Sequence, residues 1–500
     1  MFKANIKDSL KLFLSFWIYW LILFFAVRLV FVLFHFDQMG KDVDFGDIVL
    51  LFFHGIRLDL SATGYIMVIP SLLFISLFFL SFNKVRYILR IYFVGLIAFC
   101  IFLSAVDLNL YSHWGFRLDA TPLLYLKTPG AFLDSMTWYD YFIPFVFIII
   151  VGGGLIYLFF NHFFEVSSVQ YSKIKTPLFF LLLFPFLIIP IRGSFDVAPI
   201  NIGTVYFHKN LIMNHAAINV PWNVIYSITN YNSGDDNLHY LKDEETNLIF
   251  SELLQSKDTT DYVLKNKNPE ILLIILESFT SKLINRVEEG VEITPYFNTL
   301  LRQGIYFPNF YATGDRSDKG IVSVISGYPA QPTTSIINNH AKVQTLSSII
   351  SEVKKGGYAS KFYYGGDIDF ANFKSYFISA GIDEMVIKDD FPSETYSKKW
   401  GVFDHIVLDS IYADLIREHS SRFTIFFSLS NHEPFDVPNP VFNENPTQDQ
   451  RFFNGANYTD RSLEKFIERL KKEKIWENLL VIITADHGHR LPGMTEVYLP

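Results

Sequence analysis

The chain has 500 residues, half of them hydrophobic and 17% aromatic, with 52 Phe and only 18% charged side chains, below the roughly one quarter usual in soluble domains. A net charge of −8 leaves no basic footprint, which argues against nucleic acid as a partner. The single cysteine, Cys100, excludes an intramolecular disulfide and a cysteine-based metal site, so an exported domain has to be stable without cross-links.

The long apolar runs lie before residue 193. Those at 12–34, 60–82, 87–107, 142–160 and 176–192 are each near the length that crosses a hydrocarbon core, and they predict five spans. The first is too long, and too soon followed by others, to be a cleaved signal peptide. "IVLLFFH" at 48–54 is too short to span and reads as an interfacial or re-entrant piece. With the N-terminus inside, the inner segments carry Lys3, Lys7, Lys11, Lys84, Arg86, Arg90, Lys173 and Lys175. The outer ones carry only Lys41, Arg57, Arg117 and Lys127. This positive-inside bias and the odd number of spans place everything after residue 192 outside. Arg28 falls within the first span, where it either snorkels to the outer interface or faces a polar cavity.

Residues 193–228 stay apolar and aromatic, which suits a stretch lying on the membrane surface or packing on the domain that follows. "NYNSGDDNLHYLKDEETN" then reads as a linker. The chain is thus predicted to comprise a transmembrane domain (1–192), a juxtamembrane segment and linker (193–268) and an α/β domain (269–500). In the last, the runs "EILLIIL", "YASKFYY", "RFTIFFSLS" and "NLLVIITA" alternate with amphipathic helices. Near-continuous apolar runs of this length suit strands buried on both faces of a mostly parallel sheet. "IYFPNFYATGDRS" reads as strand, loop and helix start.

In open α/β sheets, ligands bind beyond the carboxyl ends of the strands. Glu277 follows the first of these strands, His432 the third, and Asp486 with His487 the fourth; Ser317 stands at a helix entrance between Arg316 and Asp318. Each has a purely structural reading. Ser317 would cap its helix, Glu277 would be a helix-start carboxylate, Asp486 and His487 would form a capped turn, and His432 would be a loop histidine. Together they read differently. Glu, Asp and His at separate strand ends suit a divalent ion such as Mn²⁺, Mg²⁺ or Zn²⁺. A hydroxyl beside such an ion becomes a usable nucleophile, and a helix N-terminus favours a phosphoryl group.

The quartet "LESF", "TGDRSDKG", "SNHEPF" and "TADHGH", behind five spans, resembles the lipoteichoic acid synthase and phosphoglycerol transferase family. The resemblance extends over essentially the whole chain, including "FFHGIRLDLSATGY". It implies a polytopic helical bundle in the cytoplasmic membrane and an extracytoplasmic sulfatase-like domain of the alkaline phosphatase superfamily. Carried over by position, it implies that Glu277, Asp486 and His487 bind one divalent metal, most simply Mn²⁺, and that Ser317 is both nucleophile and ligand of that ion. It further implies that His432 contacts the phosphoryl substrate or leaving group. Trp400, in "KKWGVFDH", falls where family members place a substrate-contacting tryptophan, and Lys374, in "NFKSY", is the nearest cation to the family's arginine. The implied partners are a phospholipid donor such as phosphatidylglycerol and a glycan or glycolipid acceptor.

Three departures accompany the resemblance. Lipoteichoic acid synthases use threonine where this chain has Ser317. Lysine cannot make the bidentate fork of an arginine. Family members continue past "ADHGHR" with another strand and a C-terminal subdomain, so the sheet is expected to lack a piece. Three rival readings remain open. A sulfatase needs a Cys/Ser-x-Pro-x-Arg motif, whereas Ser317 is followed by "DKGI". A phosphoethanolamine transferase shares the metal and hydroxyl logic and differs in its head-group pocket. A membrane-anchored binding or scaffold protein would use none of this chemistry.

Overall fold

The computed structural model describes residues 6–40, 43–122, 138–163, 171–196, 198–229, 241–253, 263–264, 266, 268–331, 334–397, 399–417 and 421–493. Lys3, Lys41 and Lys127 of the charge bias, and residues 230–240 of the expected linker, lie outside the described residues. The chain divides into two compact units between Tyr231 and Asn232.

Among the described residues, five helices of the first unit are long and apolar enough to cross a membrane: α1 (Ile6–Phe34), α2 (Phe45–Phe78), α3 (Phe82–Trp114), α4 (Tyr141–His162) and α5 (Lys175–Arg192). The run at 48–54 is not a separate interfacial piece; it is the first part of α2. That helix starts where Asp44 and Asp47 close a reciprocal capping box. The charges at Arg57 and Asp59 look like an interruption in the sequence, yet the helix runs through them. Asp59 is buried and forms a two-pronged pair with Arg28, at 2.6 and 2.7 Å. Arg28 is only 4% exposed and therefore points inward. A paired arginine avoids most of the cost of an isolated buried charge.

The 193–228 stretch, expected on the membrane surface or against the following domain, folds into this same unit. Its helices α6 (Leu211–Ala217) and α7 (Val220–Thr229) are held by polar bonds as well as apolar contact. Arg28 donates to the Ala216 and Ala217 carbonyls, Arg117 to that of His215, and Asn219 to Asp59. Arg117 is in turn paired with buried Asp107 at 2.9 Å. Arg28, for which the sequence left an inward polar position open, and Arg117 thus satisfy the last carbonyls of a buried helix.

The second unit begins its described part with a helix, α8 (Asp243–Leu253), where the sequence reads as the tail of a linker. Its centre is a five-stranded, all-parallel sheet of β1 (Glu270–Leu276), β2 (Ala359–Tyr364), β3 (Glu384–Val386), β4 (Arg422–Phe427) and β5 (Leu479–Ala485), in the spatial order β3-β2-β4-β1-β5. Alternate side chains of β1 serve two cores. Leu272, Ile274 and Leu276 join one cluster with Phe426 and Phe452, whereas Leu273 and Ile275 join another with Ile321, Phe362 and Ile425. Burial on both faces explains the near-continuous apolar runs of these strands. Strand β3 escapes sequence reading because three residues carry no periodicity. Conversely, residues 305–311 form no strand. Ile305, Phe307, Phe310 and Tyr311 are exposed, because an alternating pattern makes a strand only where a neighbouring strand accepts its hydrogen bonds.

Candidate active site

The carboxyl ends of β1 and β5 lie side by side in parallel register, Leu276 opposite Ala485, so the residues after them meet. The chain after β1 turns through Ser278 at a φ of 55°. Its N–H donates to Asp486 Oδ1 (2.9 Å) and its hydroxyl to Glu277 Oε1 (2.6 Å). Asp486 Oδ1 also accepts the His487 N–H at 2.8 Å. Helix α9 (Ser317–Ser326) brings in the hydroxyl. Ser317 is not the cap of that helix: Arg316 occupies the cap position with no side-chain cap bond, and Ser317 Oγ donates instead to Glu277 Oε2 at 3.0 Å. Gly320 sets the approach of the helix. A Cβ there would lie 2.2 Å from the Asp486 carbonyl oxygen, so only glycine lets the first turn settle on the 486–487 backbone.

Glu277, Asp486 and His487 are all buried and offer three ligand atoms within 4.8 Å of one another. His487 Nε2 stands 3.6 Å from Glu277 Oε1, 3.4 Å from Asp486 Oδ2 and 3.3 Å from Ser317 Oγ. The other ring nitrogen, Nδ1, is 2.6 Å from the Gly488 carbonyl. A carbonyl only accepts, so Nδ1 carries the proton and the Nε2 lone pair is available to the cluster. Asp486 Oδ2 is fully buried and accepts no hydrogen bond. Burial, then the charge of Glu277, raises the Asp486 carboxyl above its ordinary range. Burial lowers the His487 imidazole, but Asp486 and Glu277 outweigh it and the net direction is upward. An orphaned carboxylate oxygen, a second carboxylate and an imidazole with a free lone pair are a donor set that fits a divalent cation.

Residues 269–498 match the family model for sulfatases. The second unit carries a sulfatase-like domain, and the chain is similar to lipoteichoic acid synthases. The chain is 27% identical over 237 residues to lipoteichoic acid synthase 2 of Bacillus subtilis, covering 45% of this chain and 36% of that protein. It is 26% identical over 375 residues to the lipoteichoic acid synthase of Staphylococcus saprophyticus, covering 72% of this chain and 56% of that protein. The crystal structure of a lipoteichoic acid synthase from Listeria monocytogenes is 22% identical, with a TM-score of 0.45, over 49% of this chain and 64% of that one. The chain therefore spans about half or less of the length of the curated relatives it matches.

The sulfatase-like domain holds a cavity of about 2010 Å³ lined by Glu277, Ser317, His432, Asp486 and His487, together with Arg316 and Arg490. The four sequence-predicted residues of the cluster are thus joined by His432. Trp400 is not in this lining; it packs on His432 with ring centroids 4.2 Å apart. Lys374 is not among the residues lining this cavity. It lies in the first turn of a helix, Phe373–Ser379, whose neighbours Phe370 and Ala371 face the cavity while Lys374 does not.

Sequence reasoning missed the residues that hold the site. Asp404 accepts the Leu429 and Ser430 N–H groups at 2.8 and 3.1 Å and so shapes the loop leading to His432. Asn431 donates to the Glu277 carbonyl at 3.2 Å. Arg490 pairs with Glu433 at 3.2 Å, linking the loops after β4 and β5. The only signal available was adjacency to the motifs: Asn431 and Arg490 stand within "SNHEPF" and "ADHGHR".

Proposed function

We propose that the protein is a membrane-anchored, metal-dependent phosphoryl-group transferase. It acts outside the cytoplasmic membrane on a phospholipid head group, most simply that of phosphatidylglycerol. The observation that carries this reading is Ser317 Oγ at a helix start, 3.0 Å from Glu277 and 3.3 Å from His487, inside a buried three-ligand cluster. The similarity to lipoteichoic acid synthases supports it, and five candidate spans support a lipid donor.

Glu277, Asp486, His487 and Ser317 would hold one divalent ion, Mn²⁺ in our reading; when bound, it supplies positive charge that favours the ionised hydroxyl and offsets charge on the phosphoryl group. The Ser317 hydroxyl, directed to Glu277 Oε2, leaves its lone pairs for the cavity. In the first step Ser317 Oγ bonds to phosphorus and the bond from phosphorus to the diacylglycerol oxygen breaks. The serine proton passes to solvent, and the departing oxygen takes a proton from His432. In the second step a sugar or glycan hydroxyl bonds to phosphorus, giving its proton back to His432. The Ser317–phosphorus bond breaks and the serine is reprotonated. Splitting one displacement into two is the usual use of such a nucleophile.

The test is release of labelled diacylglycerol from fluorescent phosphatidylglycerol by detergent-purified protein with Mn²⁺, followed by intact-mass analysis. Release with a glycerol-phosphate mass increment, both lost in Ser317→Ala, is the expected result. Undiminished release by Ser317→Ala would remove the serine from the reaction. Silence with phosphatidylglycerol and turnover of phosphatidylethanolamine would reassign the head group.

A further inference from the structure

We infer that Glu433 and Arg490 form the subsite for the donor's head group, built to accept a glycerol diol and to reject an ammonium group. This rests on the function proposed above. Both residues line the cavity that holds Ser317 and the three-ligand cluster. Neither side chain is sealed off, with 45% of Glu433 and 38% of Arg490 exposed. Glu433 directly follows His432, and Arg490 stands three residues after His487, so the pair comes from the same two loops as the reacting groups. Of the donor's three parts, the phosphoryl group belongs to the ion and Ser317, and the diacylglycerol to the bilayer. The head group is the part left for this pair.

The pair is only half used by the protein. Arg490 Nη2 donates to Glu433 Oε1 at 3.2 Å, and Gln448 Nε2 donates to the same oxygen at 3.4 Å. Among the described residues, Glu433 Oε2 accepts no hydrogen bond, and Arg490 Nε and Nη1 donate none. The subsite thus presents a charged acceptor beside charged donors. A hydroxyl both donates and accepts, so the two hydroxyls of a glycerol head group use both sides of the pair. An ammonium only donates. It would meet Oε2, leave the guanidinium N–H groups without acceptors and set a like charge beside them. A site made to hydrogen-bond a hydroxyl rejects the analogue that lacks it. Both ends are anchored. The Glu433 carbonyl accepts from the Trp400 indole N–H, the Arg490 carbonyl accepts from Lys282 Nζ at 3.2 Å, and neighbouring His489 stacks on Phe452 at 4.7 Å. Groups already held in place lose less freedom when a ligand arrives.

The test uses the detergent-purified full chain with Mn²⁺ and no glycan acceptor, so that only the first step is read. Diacylglycerol release and the mass adduct are followed with phosphatidylglycerol and with phosphatidylethanolamine carrying the same acyl chains. The parent should favour phosphatidylglycerol in kcat/KM. Arg490→Gln leaves the Glu433 carboxylate without its cation. It should lower kcat/KM on phosphatidylglycerol about 10-fold to 100-fold, as for lost hydrogen bonds to a charged group, and leave phosphatidylethanolamine at or above the parent value. Glu433→Gln should lower the rate on phosphatidylglycerol without raising it on phosphatidylethanolamine. An equal loss on both lipids in Arg490→Gln, an undiminished rate of adduct formation on phosphatidylglycerol, or a parent that prefers phosphatidylethanolamine would overturn the assignment while leaving the transferase intact. A second readout needs no turnover. In calorimetry with Mn²⁺, the parent should bind glycerol phosphate about 10-fold or more tighter than phosphoethanolamine, and Arg490→Gln should erase the difference. Equal affinities in the parent also overturn it. A parent silent on both lipids counts against the proposed function, and the calorimetry still decides the subsite.

Discussion

Gly320→Ala sets two effects against each other. Within an α-helix, alanine is favoured over glycine by about 1 kcal/mol. Here the added Cβ would stand 2.2 Å from the Asp486 oxygen, 2.6 Å from its carbonyl carbon and 3.1 Å from its Cα. All three are backbone atoms, and none can rotate away. The first turn of the helix has to retreat by roughly 1 Å, and overpacking of this kind costs about 1–3 kcal/mol or more. The clash should win. A net loss of about 2 kcal/mol corresponds to a thermal midpoint roughly 4–8 °C lower for a domain of this size. The same retreat separates Ser317 from Glu277 and His487, so turnover should fall about 100-fold, as for other displacements near 1 Å. Thermal unfolding by intrinsic fluorescence and the diacylglycerol-release assay would read the two effects. Gly304→Ala is the control, since its Cβ would meet only the Leu300 oxygen at 3.7 Å. A Gly320→Ala protein as stable and as active as the parent would refute the close-approach argument.

Asp486→Asn keeps the shape of the side chain but removes the charge of the orphaned oxygen. Mn²⁺ affinity, measured by calorimetry, should weaken about 100-fold or more, and retention of affinity would dismiss the three-ligand cluster. Ser317→Thr retains the hydroxyl and should keep turnover within about 10-fold of the parent, whereas Ser317→Ala should abolish the covalent adduct by mass analysis. Burial raises the Asp404 carboxyl to about 6, against the hydrogen bonds from Leu429 and Ser430. A folded value above the unfolded one gives stability that is present at low pH and lost as pH rises through the folded value. From pH 4 to pH 7, Asp404→Asn should therefore gain on the parent by up to about 3 kcal/mol. A pH-independent difference in chemical denaturation would show that the carboxyl is not held this way.

The sequence by itself determined the elements that depend on local pattern. Long apolar runs specify membrane-crossing helices, and β1, β2, β4 and β5 are legible because strands buried on both faces must be apolar throughout. Glu277, Ser317, Asp486 and His487 were legible because chemistry in such sheets gathers at strand ends. Only the tertiary structure decided what depends on partners distant in sequence. Arg28 and Asp59 look like breaks in apolar spans until they meet across two helices. Ser317 looks like a helix cap until Glu277, 40 residues away, takes its hydrogen bond. Local pattern fixes which face a side chain occupies; only the packing of remote segments fixes which atom it meets there.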